Sequence, residues 1–430
     1  MGSTELLLKP RRRRARAGLG GFVSSAAAVL IAMSAAAAAS PPGGATPFRP
    51  TDAGFVVAEL PGGSRARDGF ARQLELSRSD PERAARLAAA LLEQARLSAQ
   101  PQFYGRAESV LSPWMARPAV PGPLLILEAN ILQQRHEFAA AIELLDRAIA
   151  QDPRSRQARL MRANVRIVTG DFERARPDCA WLLGSGEQWT GSVCIAQVLG
   201  STGQLPRARA LLERLTADAA VSSTGQNQPG QGPTTEVLAW SLSVRADLAV
   251  RAGALQEAEQ LLSRALALTP AGDYTRLALA DVLITENQLA AAAQVLDTAR
   301  PNVGLLLRRA IVQSRAQEGG PQGAMAELKE RLTVSAQRGE RTHLREETWL
   351  ALEFPDAGAG TRQAALALAR DNFNAQRETE DIRLFARAVI AARDPAALAS
   401  LKTWLQGSHY QDVVVDQLLQ VVDPRSGQSS

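Results

Sequence analysis

Few side chains in this 430-residue chain have both the type and the neighbours that acid–base or covalent chemistry needs. The three histidines stand at 136, 343 and 409, and none has a Cys, Asp or Glu partner at zinc-ligand or catalytic spacing. His136 reads as a solvated turn residue, His343 opens a helix, and His409 lies in the turn Gln406–Tyr410. Arg345, Glu346 and Glu347, just after His343, read as a charged face in water. With Lys9, Lys329 and Lys402 as the only lysines, no G-x-x-x-x-G-K-[ST] phosphate loop can be written. Nor does a G-x-S-x-G elbow or a dinucleotide glycine motif appear in a convincing context. No catalytic residue, metal site or cofactor is therefore assigned, and the chain is expected not to be an enzyme. Two sets of residues remain. One is the cysteine pair Cys179 and Cys194. The other is a row of short amides and carboxylates, Asn130, Asn164, Gln197, Asp247 and Asp281, each directly after an alanine. Such groups can donate to and accept from peptide backbone.

The charge balance removes one class of partner. Lys and Arg total 49 against 44 Asp and Glu, a net charge of +5. Residues 1–40 contribute Lys9, Arg11, Arg12, Arg13, Arg14 and Arg16 against Glu5 alone, and residues 41–430 hold 43 of each sign. A chain balanced in this way has no general attraction for phosphate backbones, so nucleic acid is not expected as a partner.

The basic start has a different meaning. It leads into the apolar, small-residue run Leu19–Met33, then Ala35–Ala39 and Ser40-Pro41-Pro42. A positive segment, a short apolar stretch and an A-x-A-like boundary have the anatomy of a secretory signal peptide. An uncleaved N-terminal anchor is the other reading. The preference for Arg over Lys fits a GC-rich bacterial genome, where export means the periplasm. No later stretch is long and apolar enough for a membrane span.

These residues must be positioned by a repeating element. Ala129, Ala163, Ala196, Ala246 and Ala280 are each followed twelve residues later by another alanine, at 141, 175, 208, 258 and 292. Successive units lie 34, 33, 50 and 34 residues apart, the 50 being one period plus an insertion at 222–235. Gly170, Gly203 and Gly253 fall seven after the first alanine, and Phe138, Phe172, Leu205, Leu255 and Leu289 fall nine after it. Ala148, Ala265 and Ala299 lie seven after the second alanine, and Pro153 and Pro270 twelve after it, where proline stops a helix. This pattern, clearest over 122–300, resembles the tetratricopeptide repeat.

The resemblance implies an all-α fold, a tetratricopeptide-like α-solenoid of stacked antiparallel helix pairs with a concave inner face. The expected organisation is a signal peptide at 1–40, an extended or loop segment at 41–80 and a first array at 81–221. A flexible insertion at 222–235, a second array at 236–337, less regular helical repeats with a cap at 338–422 and a disordered tail at 423–430 complete it. In the family's register the row Asn130, Asn164, Gln197, Asp247 and Asp281 faces the groove, where a protein or peptide partner binds. Trp240 and Tyr274, early in their units, either add an aromatic wall or pack against the preceding helix end. The clamp by which some members hold a C-terminal carboxylate is incomplete, because Ile126, Leu160 and Met161 stand where basic residues are expected. Cys179 and Cys194 fall on helices that neighbour each other in a stacked array. They can therefore form a disulfide in an oxidising compartment or pack as two buried thiols. The functional expectation is an exported scaffold or adaptor in envelope assembly, secretion or polysaccharide export. The alternative is an accessory subunit of an envelope enzyme or transporter.

Overall fold

The computed structural model describes residues 64–98, 100, 102–222, 232–298, 301–316, 322–355 and 361–422. The expected signal peptide at 1–40, most of the insertion at 222–235 and the tail at 423–430 lie outside the described residues. Everything regular among the described residues is helix. The first helices are α1 (Ser64–Ser77), α2 (Pro81–Ser98), α3 (Gln102–Met115), α4 (Gly122–Gln134) and α5 (Phe138–Gln151). Next come α6 (Arg156–Val168), α7 (Phe172–Gly184), α8 (Gln188–Ser201), α9 (Leu205–Ser222), α10 (Thr235–Arg251) and α11 (Leu255–Leu268). They continue as α12 (Asp273–Thr285), α13 (Leu289–Leu296), α14 (Val303–Arg315), α15 (Gln322–Gln337) and α16 (Leu344–Glu353). The last are α17 (Arg362–Ala375), α18 (Thr379–Ala392), α19 (Pro395–Ser408) and α20 (Val413–Val422). None of these helices is long and apolar enough to cross a membrane.

The register of the repeats is visible in the packing. All ten alanines of the two registered positions, 129 to 280 and 141 to 292, have no exposed surface. A methyl side chain there lets the paired backbones approach until ridges enter grooves. Seven residues after the first alanine the chain turns through the left-handed region, at Gly170, Gly203 and Gly253 with φ of +78°. His136 (φ +60°) and Asn287 (φ +58°) take the same place in their units. Two residues later the second helix starts, at Phe138, Phe172, Leu205, Leu255 and Leu289.

Nearly every helix packs on the next in sequence, and most of the even-numbered ones, from α2 to α18, also pack on the next even-numbered one. The odd-numbered helices scarcely touch each other, so the array bends with the even-numbered helices on its concave side. Apolar side chains fall into four successive clusters along the array, which is how a stacked solenoid distributes its core.

Two expectations are corrected. The segment 41–80 is not extended throughout, because α1 occupies 64–77, with Phe70 and Leu74 one turn apart on the first core cluster. Arg345 and Glu346 do not face water. They keep only 8% and 6% exposure, because α16 is an inner helix whose first turn is covered by α18.

Cys179 on α7 and Cys194 on α8 are joined by a disulfide, with Cα atoms 5.3 Å apart and no exposed surface. The bridge closes a loop of 15 residues, which limits the unfolded chain by about 3 kcal/mol on the chain-entropy argument. Replacing both by alanine should lower stability by about 3 kcal/mol, read as a lower urea midpoint than that of the oxidised chain. An unchanged midpoint would show that the bridge contributes nothing.

Candidate functional site

The C-terminal part of the chain returns to the array and lies across three of its turns. Its contact residues are the α17–α18 link, Gln376–Glu378, and the α19–α20 link, His409–Asp412, which together form a strap. Inner helices end with carbonyls that have no partner within their own helix, and guanidinium groups take them up. Arg377 donates its backbone N–H to the Val168 carbonyl (2.7 Å) and Nη1 to the Thr169 carbonyl (2.8 Å), at the end of α6. Arg251 donates Nη2 to the Gly200 carbonyl (2.5 Å) of α8 and reaches the Gln411 carbonyl (3.1 Å). Arg383 donates to the Val250 carbonyl (3.4 Å) of α10 and forks onto Asp412 (2.8 and 3.0 Å). Cations at helix C-termini also meet the negative end of the helix dipole.

The turn glycines matter here for a second reason. A Cβ on Gly170 would stand 2.9 Å from Arg377, one on Gly203 2.8 Å from His409, and one on Gly253 3.2 Å from Val413. At Gly170 and Gly203 the strap therefore sits closer to the turn than a Cβ would allow without a shift. Leu205 N–H donates to Gln411 Oε1 (3.0 Å), and the Arg251 guanidinium lies 4.1 Å from the centre of the Tyr410 ring. The Tyr410 hydroxyl meets Thr379 Oγ1 at 3.2 Å.

Between strap and array is a cavity of about 90 Å³. Asn164, Gln197, Trp240, Asp247 and Tyr274 line it from α6, α8, α10 and α12, with Arg251, Arg377, Glu378 and Tyr410. Five of the seven residues proposed for the groove are thus gathered round one space. Asn164 (5% exposed) and Trp240 (9%) are almost fully buried. Yet Asn164 Nδ2, Gln197 Oε1 and Trp240 Nε1 have no hydrogen-bond partner among the described residues. Trp240 also packs in a core cluster, so wall and packing roles coincide. Burial holds the Tyr274 hydroxyl well above the usual phenol range, with the Glu378 and Asp247 carboxylates acting in the same direction.

The other two residues of the row lie elsewhere. Asn130 on α4 is half-buried and outside this cavity. Asp281 is not open to a partner, because Arg308 of α14 forks onto both its oxygens (2.6 and 2.7 Å), and Arg308 stacks on Trp349 at 4.6 Å. The aspartate at this register position meets an arginine one inner helix further on, a pairing that depends on how the helices stack.

Histidine positions also differ from expectation. His136 is half-buried and stacked on Phe138 with ring centres 5.3 Å apart, so it is not a solvated turn residue. Burial lowers its pKa to about 4, helped by the positive charge of Arg345. Arg345 itself donates to Asp381 (2.6 and 2.8 Å) and to Glu378 (2.5 Å). Asp381, with no exposure, also accepts from Asn372 Nδ2 (2.7 Å) and from the Glu378 N–H (2.9 Å) as part of a capping box. Arg251, Arg377, Glu378 and Tyr410 carried no signal of the repeat, although Arg251 stands one turn after Asp247 on the same helix face.

Residues 132–177 and 249–304 match the family model described as tetratricopeptide repeat. No curated protein matches the chain. Among solved structures, a tetratricopeptide repeat protein from Parabacteroides merdae has a TM-score of 0.35 at 13% identity, covering 71% of this chain and 99% of its own. The APC/C hetero-tetramer Cut9–Hcn1 has a TM-score of 0.45 at 12% identity, covering 84% of this chain and 74% of its own.

One inner carboxylate makes stability depend on pH. Glu380 on α18 has its pKa raised to about 7 by burial and by the Asp281 carboxylate, against the opposing pull of Arg383, Arg387 and Arg308. The folded chain keeps this proton at pH values where the unfolded glutamate, with a pKa near about 4.3, has lost it. Stability contributed by Glu380 should therefore fall as pH rises from about 4.3 to about 7. Urea midpoints at several pH values should show this slope, and Glu380→Gln should flatten it. An equal slope in the variant would remove Glu380 as its source.

Proposed function

We infer, from a chain that carries tetratricopeptide repeats, that this protein is a non-enzymatic scaffold that binds a protein or peptide partner through its concave face. Repeats of this kind form protein-interaction scaffolds, since a curved stack of helices presents one continuous inner surface. The observation that carries the reading is the inner row itself. Asn164 and Gln197 hold amide atoms in the concave face that no described residue satisfies. Asn130, half-buried on the adjacent inner helix and outside the cavity under the strap, is the member of the row open to a partner's backbone.

Export to the periplasm and work in the envelope belong to the same proposal. They are supported by the signal-like residues 1–40 and by the Cys179–Cys194 disulfide, a bond kept in oxidising compartments. The test is capture of partners from an envelope extract by the purified chain. Asn130→Ala together with Asn164→Ala should reduce capture about tenfold or more, since each hydrogen bond to a partner contributes about 1 kcal/mol. Equal capture by the folded double variant would move the partner off this row.

A further inference from the structure

We propose that the cavity between the array and the strap binds a small zwitterionic amino acid, with its carboxylate towards α6 and its ammonium towards α8 and α10. The proposal goes beyond partner binding and does not depend on it.

The charges round the cavity cancel, with Arg251 and Arg377 against Asp247 and Glu378. Most of that charge is already engaged. Glu378 accepts from Arg345 (2.5 Å), and Arg251 is held by the Gly200 and Gln411 carbonyls and the Tyr410 ring. The groups left over are sorted by side. Asn164 Nδ2 and Arg377 Nε are unpartnered donors among the described residues, and both stand at α6, one on the helix and one on the strap residue that caps its end. Gln197 Oε1 on α8 is an unpartnered acceptor, and the Asp247 carboxylate on α10 has its nearest cation, Arg251 Nη1, only at 4.0 Å. Trp240 Nε1, two turns before Asp247 on α10, is a third unpartnered donor.

The two unpartnered acceptors, Gln197 Oε1 and the Asp247 carboxylate, thus lie on α8 and α10, and two of the three unpartnered donors stand at α6, with Trp240 Nε1 the third on α10. A dipolar molecule uses both ends at once and brings Asp247 a cation, whereas a simple anion matches only the donors and a neutral polyol, whose hydroxyls both donate and accept, brings no charge for Asp247. A cavity of about 90 Å³ is several times the about 10–15 Å³ that a single water needs, so it has room for a small organic molecule such as a short amino acid. Asp247 keeps 32% of its side chain exposed, which leaves that wall open for entry. Because Arg377 belongs to the strap and Asn164, Gln197 and Asp247 to the array, one bound molecule would join the two. Ligand binding would therefore tighten the strap on the concave face.

The test is titration calorimetry of the purified chain with glycine, L-alanine and L-serine, with glycerol as the uncharged control. At least one amino acid should bind saturably at one site per chain, and glycerol should not. Asp247→Asn and Asn164→Leu should each weaken binding at least tenfold, while Glu143→Ala on the exposed side of α5 should leave it unchanged. Hydrogen exchange at 376–379 and 409–412 should slow when the amino acid is bound. The proposal is overturned if none of the three amino acids binds at millimolar concentration, which would leave the cavity to ordered water. It is also overturned if glycerol binds equally well, or if Asp247→Asn, with unchanged helical signal, binds as the parent does. These results use purified chain alone, so they stand whether or not a protein partner is captured.

Discussion

The carbonyl groups at the ends of the inner helices are the constraint to which most of this structure answers. A helix leaves its last carbonyls without partners in the helix itself; Thr169, Thr202 and the Gly253 N–H serve some of them from within the repeat, and residues from further along the chain serve others. The left-handed turn residue opens the way. With no Cβ at 170 or 203, Arg377 and His409 of the C-terminal segment lie close against those turns. Arg377, Arg251 and Arg383 donate to carbonyls at the ends of α6, α8 and α10 in succession. The same turns that set each helix pair therefore receive the C-terminal segment, and the solenoid closes on itself at that rim.

Arginine is suited to this task because its planar fork stays charged and can serve a carbonyl and a carboxylate, or a carbonyl and a ring, at once. The concave face is built on such forks, with Arg345 on Asp381, Arg308 on Asp281 and Arg383 on Asp412. Buried pairs of this type contribute little net stability, since desolvation offsets their attraction, but a displaced helix leaves a charge unpaired. Their effect is to hold the register of α14, α16 and α18 where the alanine pattern has faded. Glu380 differs from these carboxylates, because burial and the nearby Asp281 charge outweigh the pull of the surrounding arginines, and it keeps its proton accordingly.

Much of the fold was legible in the order of residues. Alanine pairs twelve apart, the turn seven after the first, and the start of the second helix at nine are local quantities, and the helices begin and end accordingly. The polar row was legible for the same reason, since one register position faces one side of every repeat. Its separation into Asn164, Gln197 and Asp247 round a cavity, Asn130 outside it and Asp281 bound to Arg308 was not. Each of those outcomes depends on a residue beyond the repeat itself. Arg345 and Glu346 show the same limit, because a run of charges reads as a wet surface unless the helix that covers it is known.

What the sequence alone determined is the repeating unit, because helix pairing within a unit rests on small residues and turns separated by a few positions. It also determined that Cys179 and Cys194 lie on neighbouring helices. Tertiary structure decided what occupies the concave face. Arg377 meets the carbonyl of Thr169 across 208 positions of chain, and Gln411 meets Leu205 across 206. Curvature sums small rotations over many repeats, so where the last helices land on α6 to α10 depends on the whole stack between them and on no local pattern.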